Sequence, residues 1–383
     1  MSPSALFVTT VPVTLEAFLV PFAEHFRAQG WRVDALANGA SGTERIAGAF
    51  DARFDVAWSR NPLDPRNLLG SAAVVRGIVG AGAYDIVHVH TPIAAFVTRY
   101  ALRTVPAATR PVVIYTAHGF HFYQGQKPLP HMLYRSLERL AAPWTDYLVT
   151  INAEDFDAAR VLGGIPPGRV RRIPGIGVDV ERFAEGGVTA AQAVAVREDL
   201  HVPMDAVMLT MIAEFSPVKR HEHLLQALAC VQDPRVVLVL VGDGPLEPRI
   251  RERVQALGLA GSVRFAGYRR DIPAVLAASD ALVLVSEREG LNRSVLEALA
   301  AGRPVIGTAT RGITDAVGDD AGWIVPKNDV DALAQAIDAA AADPAEIERR
   351  GEAARARAKS EFALPRIVAA YEELYFEALA SRV

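Results

Sequence analysis

The chain has 383 residues and a mass of 41.2 kDa, too long for one ordinary core, so two domains of about 150 to 200 residues are expected. With 51% hydrophobic and 22% charged residues it is no extended disordered protein, and a net charge of −4 gives no reason to expect a nucleic-acid partner. No apolar run approaches the roughly 20 residues that span a bilayer, and the N-terminus lacks the basic, apolar, small-residue order of a signal peptide, so a cytoplasmic protein is expected.

In chain order, short β-rich apolar runs recur. The first half holds ALFVTTV, RVDALA, FDVAWS, IVHVH, VVIYTAH and YLVTIN; the second holds VMLTMIAE, VVLVLVGDG, VRFAGY, ALVLVS, PVIGTAT and GWIVP. Continuous apolar strands separated by helical patterns imply parallel sheets covered on both faces, so each half reads as a doubly wound α/β domain. The rhythm breaks near 183 to 203, which divides the chain into residues 1–185 and 186–364. Residues 365–383 read as a helix with apolar positions Ile367, Ala370, Tyr371, Leu374, Tyr375 and Ala378, a face that needs a surface to cover. Basic residues outnumber acidic ones 18 to 16 up to residue 185 and trail 22 to 28 after it, a modest bias that reads first as ordinary solvated arginines and second as a face for an anionic membrane or a phosphorylated substrate.

Ligands of doubly wound sheets bind beyond the carboxyl ends of the strands, so the residues after each strand are the candidates for chemistry. Thr9 and Thr10 follow the first strand. His88 and His90 share one face of a strand because side chains alternate; with no third ligand at useful spacing, they read as hydrogen-bonded strand-end histidines better than as a metal site. His118 ends VVIYTAH and precedes Gly119 and a loop of Phe120, His121, Phe122 and Tyr123. EFSPVKRH places Lys219 after the first strand of the second half, and VGDGP supplies Gly242 and Gly244 where a backbone could approach a nucleotide. The single Cys230, within LLQALACVQ, is expected to be a buried small hydrophobe.

SEREGLNRSVLEALAAGRP then sets Glu289 in the turn after a buried strand and Glu297 on the helix that follows, ended by Gly302 and Pro304. Backbone N–H groups near Gly290, Leu291 and Asn292 could receive a diphosphate, with a sugar near Glu289 and a ribose diol near Glu297. On spacing alone, a surface glutamate complementing the helix dipole and a solvated helix position remain equally open. Asp329 and Asp331 form DVD in a context that reads as a helix cap rather than a metal site, and no essential metal or cofactor is expected.

EGLNRSVLE resembles the E-x7-E motif of retaining glycosyltransferases of family 4, and ALFVTTV, VHVHTP, YTAHGFHFYQG, TDYLVTINAEDF, IPGIGVDVERF, VGDGP and the terminal helix resemble that family in the same order. YTAHGFHFYQG with TINAEDF is similar to bacterial enzymes that build capsular and exopolysaccharide repeat units on a lipid carrier. The resemblance implies the GT-B fold, two Rossmann-like domains across a cleft with the last helix crossing back to the first domain. It implies a nucleotide-sugar donor, UDP by family habit, held by the second domain, and a polyprenyl-diphosphate-linked saccharide acceptor held by the first, which could touch the membrane peripherally. It assigns His118 and Glu289 to catalysis, and Lys219, Gly242, Gly290, Leu291, Asn292 and Glu297 to the donor; Thr10, His90, His121 and Tyr123 go to the acceptor or the cleft. Glu214 stands where relatives commonly carry an arginine, the TTVPVTLEAF loop lacks the usual glycine pair, and RGITDAV replaces a glycine-rich loop. A nucleotide-sugar 2-epimerase and an inactive sugar-nucleotide sensor share the fold and are the alternatives.

Overall fold

The computed structural model of the chain describes residues 2–59, 61, 64–166, 168–184 and 187–381. The chain forms two compact units, one of residues 1–176 with 367–383 and the other of residues 177–366. The boundary expected at 185/186 lies outside the described residues. The chain passes between units at Ile176 and Gly177, ahead of the region where the strand rhythm breaks. That region holds a helix of the second unit, Ala190–Asp199, started by a capping box between Thr189 and Gln192.

Seven parallel strands make the first sheet: β1 (Ser4–Val8), β2 (Arg32–Ala37), β3 (Arg53–Asp55), β4 (Ile86–His90), β5 (Val112–Ala117), β6 (Tyr147–Thr150) and β7 (Val170–Arg172). Their order is β3-β2-β1-β4-β5-β6-β7. The second sheet has six, β8 (Val207–Ile212), β9 (Val236–Val241), β10 (Val263–Gly267), β11 (Ala281–Leu284), β12 (Val305–Thr308) and β13 (Gly322–Val325), in the order β10-β9-β8-β11-β12-β13. Strands β1, β4, β5, β9 and β11 are buried along their whole length, as the apolar runs require of strands covered on both faces. Both orders reverse beside their first strand, between β1 and β4 and between β8 and β11, and such a switch point opens a crevice for ligands.

The helix Leu364–Ala380 carries the chain back to the first unit from Ile367 onward. Ile367, Tyr371, Leu374, Tyr375 and Ala378 are buried, the face that the sequence spacing marks. Tyr375 stacks on Phe26 at 4.7 Å, and its hydroxyl bonds Nδ1 of His88; the Tyr371 hydroxyl lies 3.1 Å from Oγ1 of Thr116. Two strands of the first sheet therefore take their inward polar partners from the last helix.

Cys230 corrects an expectation. The helix His221–Leu228 ends before it, so the thiol falls in the exposed connection to β9 rather than on a buried face.

Candidate active site

In the second unit the site is built at the β8/β11 switch point. Lys219 ends a single 3-10 turn, Pro217–Lys219, and its Nζ lies 2.6 Å from Oε1 of Glu289, in the loop after β11. The Glu287 N–H donates to the carbonyl of Val218 at 2.8 Å, so backbone as well as side chains ties the two loops together. Lysine and carboxylate are both mostly enclosed, which strengthens their attraction over that of a surface pair.

The helix Arg293–Ala300 starts at Asn292, whose Oδ1 accepts from the N–H groups of Ser294 and Val295 at 2.9 and 3.3 Å. The cap claims those two donors, which lie beyond the Gly290, Leu291 and Asn292 N–H groups that the sequence offers to a diphosphate. Glu297 is 8% exposed on this helix. Burial raises its pKa, an effect opposed by Arg293, whose Nε lies 2.8 Å from Oε1. Neither free glutamate of the spacing argument survives as a solvated surface group.

Gly242 has φ of +140°, and a Cβ there would come within 2.2 Å of the Ala213 carbonyl oxygen. Its bareness thus admits the backbone that leads into EFSPVKRH. Glu214 is exposed, while nearby Arg220 pairs with Glu287 at 2.9 Å and Arg293 with Glu297, so carboxylates engage both of these arginines. A polar hollow of 390 Å³ lies beside these loops, lined by Ser216, Arg220, His221 and Glu222 among others. Asp329 caps the helix Val330–Ala342 through Ala332 N–H at 2.8 Å, as the DVD context implies.

RGITDAV acquires a role that its sequence does not display. It forms the helix Arg311–Val317; Arg311 Nε donates to the Glu289 carbonyl at 3.0 Å, and a Cβ on Gly312 would lie 1.9 Å from the Gly290 carbonyl oxygen. Backbone packed this closely holds the Glu289 turn in place. Ser286 and Thr310, just past β11 and β12, carry buried hydroxyls without a hydrogen-bond partner among the described residues; the strand-end rule could have singled them out.

In the first unit, His118 follows β5 and its Nε2 lies 3.0 Å from Nδ1 of His90. His88 bonds Thr116 through Nε2 at 2.8 Å, and the rings of His88 and His90 are 4.0 Å apart. Burial lowers the pKa of His88 to about 3 and that of His118 to about 4, and takes His90 well below the usual histidine value. All three are neutral near pH 7. The loop after His118 is clamped from TINAEDF: Asp155 accepts from the Phe120 N–H at 3.1 Å and from Asn152 Nδ2 at 2.7 Å. Phe120 and Phe122 stack at 4.7 Å in the core, leaving His121 against Tyr134 at 5.2 Å.

Thr10 and Thr91, past β1 and β4 at the first switch point, bring their hydroxyls to 2.8 Å. Thr10 and His121 line one cavity of 570 Å³, while His90 and His118 line a separate small hollow and Tyr123 is at neither. Among the described residues, no three His, Cys, Asp or Glu side chains cluster as a metal site requires.

Residues 15–182 match the model of Glycosyltransferase Family 4 and residues 195–357 that of Glycosyl transferases group 1. EpsD of Bacillus subtilis (strain 168), a protein assigned as a glycosyltransferase, is 34% identical over 342 residues, 88% of this chain and 87% of that one. The Escherichia coli UDP-Gal:alpha-D-GlcNAc-diphosphoundecaprenol alpha-1,3-galactosyltransferase is 31% identical over 261 residues, covering 66% of this chain and 65% of the other. Among solved structures, Anabaena HepE in complex with UDP and glucose superposes with a TM-score of 0.81 at 20% identity, over 98% of this chain and 100% of HepE. WaaG, a glycosyltransferase of lipopolysaccharide biosynthesis, gives 0.71 at 17% identity over 94% and 97%.

Proposed function

The chain belongs to glycosyltransferase family 4, and from that premise we propose that it moves a hexose or N-acetylhexosamine from a UDP-sugar to a saccharide carried on polyprenyl diphosphate, with retention, in the assembly of a bacterial surface polysaccharide. The observation that carries this reading is the Lys219–Glu289 pair, 2.6 Å apart at a switch point, with buried Glu297 on the following helix. A lysine ammonium suits phosphate oxygens as a point charge, while a carboxylate accepts from hydroxyls. Lys219 therefore meets the donor diphosphate beside the Gly290–Asn292 turn, Glu289 the hydroxyls of the transferred sugar, and Glu297 the ribose diol. His118, neutral near pH 7, is the catalytic candidate of the first unit. The UDP choice and the lipid-linked acceptor draw support from the named substrates of the Escherichia coli relative.

In the reaction, the acceptor oxygen bonds the anomeric carbon on the face from which the phosphate oxygen departs. The acceptor proton passes to the leaving phosphate, and Lys219 stabilises the charge that develops there. No covalent sugar–enzyme intermediate is required.

Membrane contact is assigned to the helix Pro128–Ala141. It exposes Leu129, Met132, Leu133 and Leu140 together with Arg135 and Arg139, an apolar and basic surface suited to an anionic leaflet. Among the described residues no helix is long and apolar enough to cross a membrane.

The test is thermal stabilisation by UDP, GDP and their sugar conjugates, with wild type and Glu297→Gln, followed by transfer to a prenyl-diphosphate saccharide and assignment of the product anomer by NMR. UDP should stabilise the wild type, and Glu297→Gln should weaken its binding about tenfold, the loss of one charge-assisted hydrogen bond. Equal responses from both proteins, or an inverted anomer in the product, would refute the assignment.

A further inference from the structure

The 570 Å³ cavity of the first unit has a polar and an apolar end. Thr10, Thr91 and His121 cluster where β1, β4 and β5 finish. From there the cavity follows the helix Pro92–Leu102 past Ile93, Phe96 and Val97, and the helix Pro128–Ala141 from Tyr134 past Leu137 to Leu140. Trp144, just beyond the second helix, packs on Phe96 at 6.1 Å, while Tyr134, one helix turn and more before Leu140, packs on His121. Both helices thus lead from the polar end to the apolar one.

The apolar end opens to the surface. Leu68 and Leu140 line the cavity and are exposed, 37% and 56%, and Leu140 shares its helix with exposed Leu129, Met132 and Leu133. Charge on that helix is segregated as well. Arg135 and Arg139 are exposed, and so is Lys127 just before the helix. Its one acidic residue, Glu138, lines the cavity and is held there by buried Arg99 at 2.9 Å and the Tyr115 hydroxyl at 3.2 Å. An occupant must therefore be amphiphilic, polar beside Thr10, Thr91 and His121 and apolar toward Leu140. The volume lies within the roughly 300–1,000 Å³ of sites that take one small molecule, which suits a single chain better than the paired chains of a phospholipid.

Resting on the lipid-linked acceptor proposed above, we infer that this cavity takes the isoprenoid segment nearest the diphosphate of the acceptor, laid along Ile93, Phe96, Leu137 and Leu140 with its polar end at Thr10, Thr91 and His121. The remaining tail leaves past Leu140, where the exposed face of the same helix meets the leaflet. The acceptor is thereby gripped by its lipid as well as by its sugar, and a soluble saccharide lacking the prenyl chain binds more weakly.

The experiment uses the full chain and a photoreactive farnesyl diphosphate analogue, with crosslinked peptides mapped by mass spectrometry. Crosslinks should fall in residues 92–102 and 128–141 and be competed by unlabelled undecaprenyl diphosphate. Ile93→Trp should fill the cavity and cut labelling about tenfold, the loss of roughly two buried methylenes, while UDP binding by the second unit stays unchanged. Leu140→Trp, at an exposed position where folding is not at issue, should do the same. Crosslinks elsewhere, labelling undiminished in both variants, or competition by phosphatidylglycerol vesicles as effective as by undecaprenyl diphosphate would overturn the assignment. Labelling as expected without sugar transfer to a prenyl-diphosphate saccharide would instead leave the cavity assigned and sink the proposed reaction.

Discussion

Protonating His88 or His90 means placing a positive charge where no carboxylate among the described residues bonds the ring. His88 is held between the Tyr375 hydroxyl and Thr116, and among the described residues the His90 ring bonds only His118, its Nε2 buried without a hydrogen-bond partner there. Burial depresses both pKa values below the unfolded value of about 6.5, so between that value and the folded pKa the unfolded chain binds more protons. The stability these groups contribute is complete above pH 6.5 and is lost as the pH falls. The melting temperature of the first unit should therefore drop steadily from pH 7 to pH 5. His90→Gln, which cannot take up a proton, should flatten that slope; an unchanged slope in the variant would show that other groups dominate acid lability.

At the scale of elements, the Glu289 turn is held by a neighbour that the sequence gives no reason to notice. A methyl group on Gly312 would meet the Gly290 carbonyl, and backbone on both sides cannot yield as a flexible side chain would. Gly312→Ala should cost about 1–3 kcal/mol, lower the melting temperature by several degrees and weaken UDP binding with it. Calorimetry with and without UDP checks both, and retained affinity in a destabilised variant would mean that the turn does not depend on this contact. Much of the frame was legible, because parallel strands buried on both faces are long apolar runs and the terminal helix repeats its apolar face every three or four residues. Glu289 and Glu297 were legible as a turn and a helix position flanking one strand end. What escaped were contacts between segments distant in the chain: Arg311 on the Glu289 carbonyl, Asp155 on the Phe120 N–H, and the hydroxyls of Tyr371 and Tyr375 on β5 and β4. Periodicity reports which face is buried, never which partner buries it. Cys230 shows the limit at an element's end, since an apolar run does not say where its helix stops.

For the molecule as a whole, charge and exposed apolar surface coincide on the first unit. Vesicles containing phosphatidylglycerol should sediment the protein at low salt, and Arg135→Gln with Arg139→Gln should weaken that binding by about 2 kcal/mol, near 1 kcal/mol for each basic residue at the surface. Binding to uncharged vesicles that is just as tight would rule out the electrostatic part of the contact.

The terminal helix also fixes an order of events during synthesis. The first unit needs Tyr371 and Tyr375 in its core, yet about 190 residues of the second unit lie between Ile176 and Ile367. At roughly 5–20 residues per second, the ribosome delivers those tyrosines some 10–40 s after the rest of the first unit has emerged. Throughout that interval His88, Phe26 and Thr116 face an open groove where the helix will lie, so the nascent first unit is a natural client for chaperones, and the second unit is the one that can complete its core first.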